Sequence, residues 1–297
     1  MLQQSRILVT GAAGQLGRLV VSSLVARDAA HHIVGIPRRI EAAAELEANG
    51  IEMQVADYAH PESLKQPMDG VERLLIISAD EVGQRVTNHR NVIEAAKAAG
   101  VKAIVYTSLL HADTSPLSLA GEHLQTEAML ADSGIPYVVL RNGWYTENDL
   151  AFLPVVLAQG MMIGASGDGR FSWAARRDYA EAAAVVLTGN DIEGGRMYEL
   201  AGDIGVTRAE LADEISRQSG RPVQYKNLSA SDYRSALVGF GLPEVLADVL
   251  TSSDTGAAER ALYDDRHDLS RLIGRSTTPL ANSVADALKL LANAKPA

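Results

Sequence analysis

Short apolar runs separated by helix-period segments dominate the first half of the chain. Ile7–Thr10, His32–Ile36, Ile51–Val55, Arg73–Ser78, Lys102–Thr107 and Pro136–Leu140 read as strands buried on both faces. Between them Leu16–Leu24, Glu41–Ala48, Arg85–Ala99 and Leu117–Asp132 carry the apolar spacing of helices. Gly50, Gly100 and Gly134 each stand just past a helix, where a left-handed residue ends it. Such alternation predicts an α/β fold, a Rossmann-like doubly wound parallel sheet. Beyond about Thr146 the rhythm breaks. Strand-like Met161–Ile163, Phe171–Trp173, Arg196–Leu200 and Val223–Lys226 mix with helical Asp178–Leu187, Arg208–Gln218, Ser231–Val238, Leu242–Ser252 and Val284–Leu291. The pattern divides the chain into residues 1–145, a dinucleotide-binding domain, and residues 146–297, a smaller C-terminal α/β substrate lobe. The chain is expected to cross back to the first domain. Ligands of such sheets bind outside the carboxyl ends of the strands, and the second lobe is expected to close that crevice.

Composition narrows the partners. With 297 residues, 47% hydrophobic and 22% charged, the chain has ample material for a core. A formal net charge of −10 with no Lys/Arg cluster argues against nucleic acid. The absence of Cys excludes disulfides, thiolate catalysis and Cys-ligated metals, and no metal is expected. No secretory signal pattern or apolar run of about 18 residues occurs, so a cytoplasmic protein without membrane attachment is expected.

The chemistry-bearing stretch is Thr10-Gly11-Ala12-Ala13-Gly14-Gln15-Leu16-Gly17, a strand running through three glycines into a helix. Gly11 would turn the chain, Gly14 would let backbone approach a pyrophosphate, and Gly17 would seat the helix on the sheet. Unpaired N–H groups and the helix dipole then favour phosphate at that terminus. The second strand ends Ile36-Pro37-Arg38-Arg39, where an NAD-binding chain would place an acid. A guanidinium there pairs with a 2′-phosphate and favours NADP, with Pro37 affecting how Arg38 is presented. Asp57-Tyr58 follows the third strand at the expected adenine edge, and Ile77-Ser78-Ala79-Asp80-Glu81-Val82 follows the fourth. Near Tyr106, Ser108 and His111 an ordinary short-chain dehydrogenase would follow its Ser with Tyr-x-x-x-Lys. The helix reads Gly121-Glu122-His123-Leu124-Gln125-Thr126-Glu127 instead, so tyrosine-mediated alcohol–ketone chemistry is not expected. His123 and Glu127 share a helical face, as an orienting pair or as a partly buried polar contact.

With these residues in place, the chain resembles the NmrA-like branch of the atypical short-chain dehydrogenases, and is most similar to its bacterial NADPH-dependent, quinone-reducing members. The glycine stretch carries the resemblance, together with Ser78–Arg85, His89–Ile93, Ala95–Lys102, Tyr106–Pro116 and Leu140–Tyr145. It departs at Ala13, where Thr is commoner, and at Pro37-Arg38-Arg39, where an apolar residue, one Arg and Asn are commoner. The resemblance implies that Gly11, Ala12, Ala13, Gly14, Gln15 and Leu16 cradle the pyrophosphate and that Arg38 faces the 2′-phosphate. It implies that Asp80, Glu81 and Val82, with Gly143, Trp144, Tyr145, Thr146, Glu147 and Asn148, flank NADPH. It also implies a quinone acceptor. Trp144 and Tyr145 are then expected to sandwich the quinone ring, while Tyr106, Ser108 or His111 polarises its oxygen. The alternatives are a dinucleotide-binding redox sensor without catalysis and a reductase of another planar acceptor such as a triphenylmethane dye. A homodimer is compatible with either.

Overall fold

The computed structural model describes residues 6–27, 32–37, 44–79, 81–189, 192 and 194–293. They form two compact units, the first within Met1–Ala112, Gly121–Asn142 and Tyr179–Tyr198, the second within Asp113–Ala120, Gly143–Asp178 and Glu199–Ala297. The apolar runs became strands β1 (Arg6–Thr10), β2 (His32–Ile36), β3 (Glu52–Met53), β4 (Arg73–Ile76), β5 (Ala103–Leu109) and β6 (Tyr137–Asn142). Helices α1 (Gln15–Arg27), α2 (Ala44–Ala48), α3 (Arg85–Ala99) and α4 (Ala120–Asp132) separate them, α4 starting three residues later than its pattern suggested. Left-handed backbone follows the helices as expected, at Gly50 (φ 80°), Gly100 (φ 72°) and Gly134 (φ 75°).

Together with β9 (Arg196–Leu200), these strands make a seven-stranded sheet in the order β3-β2-β1-β4-β5-β6-β9. The pairs β1–β2, β2–β3, β1–β4, β4–β5 and β5–β6 are parallel. The order reverses between β1 and β4, which opens a crevice at their carboxyl ends. Arg196–Leu200 was expected in the second lobe. It extends the main sheet instead, tied to β6 by Gly195 N–H to Tyr137 O (2.9 Å) and Gly143 N–H to Leu200 O (2.8 Å). Helix α7 (Arg176–Thr188), also assigned to that lobe, lies mostly within the first unit. The core of the first unit gathers Leu8, Val34, Leu74, Ile104, Tyr106 and Val139 from five adjacent strands, all essentially without exposure.

The second unit contains α5 (Thr146–Leu150), α6 (Leu153–Gln159), β7 (Met161–Gly164), β8 (Arg170–Phe171), β10 (Val206–Thr207), α8 (Arg208–Ser219), β11 (Gln224–Asn227), α9 (Ala230–Gly239), α10 (Glu244–Ala258), α11 (Asp268–Ile273) and α12 (Leu280–Asn293). Strand β7 pairs in parallel with β11, and β8 antiparallel with β10. No helix among the described residues is long and apolar enough to cross a membrane.

One buried charge organises this unit. A reciprocal capping box between Thr207 and Glu210 fixes the start of α8, and so places Arg208 at its first turn. The helix dipole disfavours a cation there. Two carboxylates offset it: Arg208 Nη1 bonds Asp149 and Nη2 bonds Asp254 Oδ1 at 2.5 Å, with all three side chains buried. Burial works against the Arg208 charge, but Asp149 and Asp254 outweigh it and hold the pKa well above its usual value. Gly164 makes room, since a Cβ there would come within 2.6 Å of Asp254 Oδ2 and 2.9 Å of Arg208 Cδ. Removing one partner strands the other charge, so Asp254→Ala should destabilise the second unit by about 3–5 kcal/mol, read as a lower urea midpoint. A loss below about 1 kcal/mol would mean that Asp149 alone suffices.

Candidate dinucleotide site

The strand–turn–helix at the centre of the sheet is built around the absence of side chains. Gly11 has φ +59°, and Gly14 N–H bonds Gly11 O at 2.9 Å, closing the turn. A Cβ on Gly17 would fall on Gly11 O and within 2.7 Å of Ala12 Cα. Helix α1 therefore rests directly on the turn. Gly35, inside β2, completes the approach: a Cβ there would meet Ala12 Cβ at 2.8 Å and Met53 Sδ at 2.5 Å. Ala12 is fully buried, and its N–H bonds Ile36 O at 3.2 Å.

A cleft of about 700 Å³ opens at these strand ends, lined by Gly11, Ala13 through Gly17, Ile36, Pro37, Asp57, Tyr58 and Ile77 through Ala79. Its size suits a cofactor. The structure thus brings together Gly11, Ala13, Gly14, Gln15, Leu16, Gly17 and Asp57 of the expected residues. Tyr58 joins them through its hydroxyl, which accepts the Gly11 N–H at 2.9 Å. Arg38 and Asp80 lie outside the described residues. Glu81 and Val82 are exposed on the next turn, outside the cleft lining, with Glu81 Oε2 accepting from Asn88 Nδ2 at 2.8 Å.

The wall formed by residues 77–79 continues beyond β4, where its amides leave the sheet's regular ladder. Three buried side chains accept from them in turn. Ile77 N–H donates to Thr10 Oγ1 (2.9 Å), Ser78 N–H to Thr107 Oγ1 (2.9 Å) and Ala79 N–H to His89 Nε2 (3.0 Å). Accepting a backbone N–H leaves Nε2 unprotonated, so neutral His89 carries its proton on Nδ1, 3.0 Å from Thr126 Oγ1. Arg85 Nε grips Ala79 O at 2.8 Å while Nη1 pairs with Glu122 at 2.7 Å. Sequence reading missed Thr10, Thr107, His89 and Arg85. The available signals were a threonine closing each of two apolar strands and a histidine and an arginine on the same helix.

Two of the proposed acceptor contacts are redirected. Tyr106 has no exposure and its hydroxyl lies 2.7 Å from His123 Nδ1, so it is a core residue whose hydroxyl is engaged inside the sheet–helix packing. Ser108 is buried and donates to Glu127 Oε1 at 2.6 Å, while Glu127 Oε2 pairs with Arg141 at 2.8 Å. His123 and Glu127, neighbours on α4, therefore serve different partners. His111 follows β5 in left-handed backbone, φ 53°, a strained conformation for a residue with a Cβ.

Within the second unit, the segment after β6 is fixed side chain by side chain. Trp144 Nε1 donates to Asp149 Oδ2 at 3.0 Å, and Trp173 Nε1 to the same oxygen at 2.8 Å. The Arg176 guanidinium lies 4.9 Å from the Tyr145 ring centre and bonds Asn148 Oδ1 at 3.0 Å. Both Glu147 carboxylate oxygens accept the Arg176 N–H, capping α7, and Thr146 N–H bonds Ala174 O at 3.0 Å.

Residues 3–288 match the NmrA-like family. Quinone oxidoreductase 2 of Escherichia coli (strain K12) is 55% identical over 94% of this chain and 97% of its own length. The crystal structure of an Escherichia coli NADPH-dependent quinone oxidoreductase complexed with NADPH superimposes with a TM-score of 0.92 at 54% identity, covering 95% of this chain and 99% of that one. Citrobacter sp. triphenylmethane reductase complexed with NADP(H) gives 0.89 at 35% identity, covering 95% and 99%.

Two outcomes follow from this geometry. Gly17→Ala should push α1 off the turn, weakening dinucleotide binding by about tenfold or more in calorimetry and destabilising the fold by about 1–3 kcal/mol. An unchanged affinity would separate the helix seat from binding. The second concerns pH. Burial first, and the Arg85 cation second, push both His89 and His123 down to about 3. The unfolded chain protonates these residues near 6.5, so their contribution to stability is complete above that pH and declines as pH falls toward 3. Urea unfolding should show a loss of about 2 kcal/mol between pH 7 and about pH 5.5, before most carboxylates titrate. A flat profile over that interval would mean that the imidazoles are solvated.

Proposed function

The chain belongs to the NmrA-like family, and from that premise we propose that it is an NADPH-dependent reductase that delivers a hydride to a quinone and yields the hydroquinone. The observation carrying the reading is the glycine-floored cleft at the start of α1, where backbone replaces side chains where a pyrophosphate would lie. NADPH bound there supplies the hydride from its nicotinamide ring.

The protein's own work is positioning. Gly11, Ala12, Ala13, Gly14, Gln15, Leu16 and Gly17 hold the pyrophosphate, with Asp57 and Tyr58 beside the adenosine end and Arg38 on the 2′-phosphate. Residues 77–79, fixed by Thr10, Thr107 and His89, give the cofactor a wall that does not yield. Glu81 and Val82 continue from that wall on the exposed turn beyond the cleft lining. Trp144, its indole N–H held by Asp149, and Tyr145, its ring against Arg176, receive the flat acceptor. His111 is the side chain assigned to the quinone oxygen. Reduction makes the quinone an aromatic hydroquinone anion that water protonates, so a tyrosine–lysine pair is unnecessary. The same reading expects a cytoplasmic enzyme and is compatible with a homodimer.

Purified protein should accelerate the loss of reduced-cofactor absorbance with NADPH and 1,4-benzoquinone well above the uncatalysed mixture. Arg38→Glu should raise KM for NADPH by about tenfold or more while leaving that for NADH nearly unchanged. No acceleration across a panel of quinones and dyes would overturn the reductase and favour a binding-only sensor. Equal effects on both cofactors would remove Arg38 from the 2′-phosphate.

A further inference from the structure

Ala79 is the cleft-lining residue from which the chain turns toward α3, and side chains of α3 bind both of its backbone polar groups. Its N–H goes to His89 Nε2 at 3.0 Å, and its carbonyl accepts from Arg85 Nε at 2.8 Å. Each of these side chains is held in turn from α4. His89 Nδ1 lies 3.0 Å from Thr126 Oγ1, and Arg85 Nη1 pairs with Glu122 Oε2 at 2.7 Å. The two arms therefore end on one helix, a single turn apart, where the Thr126 hydroxyl also donates to Glu122 O at 3.0 Å. Glu122 Oε1 accepts the N–H of Gly83 at 2.7 Å, so one carboxylate holds residues 79–83 at both ends, through Arg85 and directly.

The direction of these bonds is fixed at the cleft. A backbone N–H can only donate, so His89 Nε2 accepts. Burial and the Arg85 cation keep the ring neutral, which leaves its one proton on Nδ1, facing Thr126. Thr126 supplies the acceptor this tautomer needs and passes its own proton to Glu122 O. Arg85, His89 and Thr126 are all buried, so water offers none of them a substitute partner.

The helix concerned is the one on which an ordinary short-chain dehydrogenase would carry Tyr-x-x-x-Lys. We propose that Glu122 and Thr126 are positioning residues for NADPH, acting on Ala79 through Arg85 and His89, so that α4 holds the cofactor's wall where it would otherwise supply acid–base groups. The proposal rests on NADPH occupying the glycine-floored cleft. Such a wall contacts the cofactor alike before and during hydride transfer, so loosening it weakens binding and spares the chemical step.

Glu122→Gln keeps the size of the side chain, but whichever way the amide turns, its NH2 faces a donor, Arg85 Nη1 or the Gly83 N–H. Thr126→Val keeps the shape and removes the acceptor for His89. Each should raise KM for NADPH by about fivefold or more with kcat within about twofold of wild type. Hydrogen exchange at the amides of residues 77–83, measured without dinucleotide, should quicken by a similar factor. Thr126→Ser restores the hydroxyl and should recover both. Glu127→Gln is the control on the same helix: its carboxylate serves Ser108 and Arg141, so it should lower the urea midpoint and leave KM for NADPH unchanged. Should Glu122→Gln not fold, the Thr126 pair carries the test. An unmoved KM in the folded variants, faster exchange without a change in KM, a failed rescue by Thr126→Ser, or an equal rise with Glu127→Gln would overturn the proposal. A wild-type chain that binds no NADPH in calorimetry would overturn the reductase reading and this one with it, whereas a binding wild type matched by its variants overturns this one alone.

Discussion

The contact between Gly17 and the turn at Gly11–Ala12 is the constraint from which the rest of the first unit follows. A helix can begin this close to the end of a parallel strand only if nothing projects from residue 17. Gly35 imposes the same condition from the neighbouring strand, where a side chain would displace Ala12. Once those two positions are bare, the start of α1 opens onto the crevice with its first amides unpaired, an electrostatic invitation to phosphate. The opposite wall requires a different device. Residues 77–79 leave the ladder along the cleft, and three buried side chains, Thr10, Thr107 and His89, replace the strand partners they give up. The empty side of the cleft and the fixed side are thus two solutions to one problem, that of bringing backbone to a ligand without leaving buried groups unpaired.

Most of the sheet was legible because its determinants are local. Apolar runs such as Ile7–Val9 and Ile104–Tyr106 identify buried strands, and α3 was bounded at both ends by its periodicity and by Gly100. Pairing across the chain is not a local property. Arg196–Leu200 is exposed at its first two residues and buried only at its last two, so it reads like a strand of any small sheet, and only its hydrogen bonds with β6 make it the seventh strand. The site divided along the same line. Glycines announce themselves by spacing, whereas Tyr106 and Ser108 stood at a strand end where function was expected. Their hydroxyls turned to His123 and Glu127 on α4, partners that no pattern along β5 specifies. Thr10, Thr107 and His89 were missed for the converse reason, since each looks unremarkable until the loop it supports is seen.

Asp149 shows why a costly buried charge can persist in the second unit. A trio of buried ions contributes little net stability compared with an apolar replacement, because desolvation consumes most of the Coulombic gain. What the trio supplies is direction. Arg208 fixes the Asp149 carboxylate through one oxygen, and the other oxygen then has a defined orientation from which to accept two indole N–H groups. An uncharged carboxamide could accept as well, but it would not be pulled into a single orientation by a cation whose own place is set by the Thr207–Glu210 cap. Hydride transfer depends on ångström-scale placement of flat rings, and the proposed chemistry asks for no proton donor. In such a protein the polar residues most worth their desolvation are those that hold aromatic side chains still.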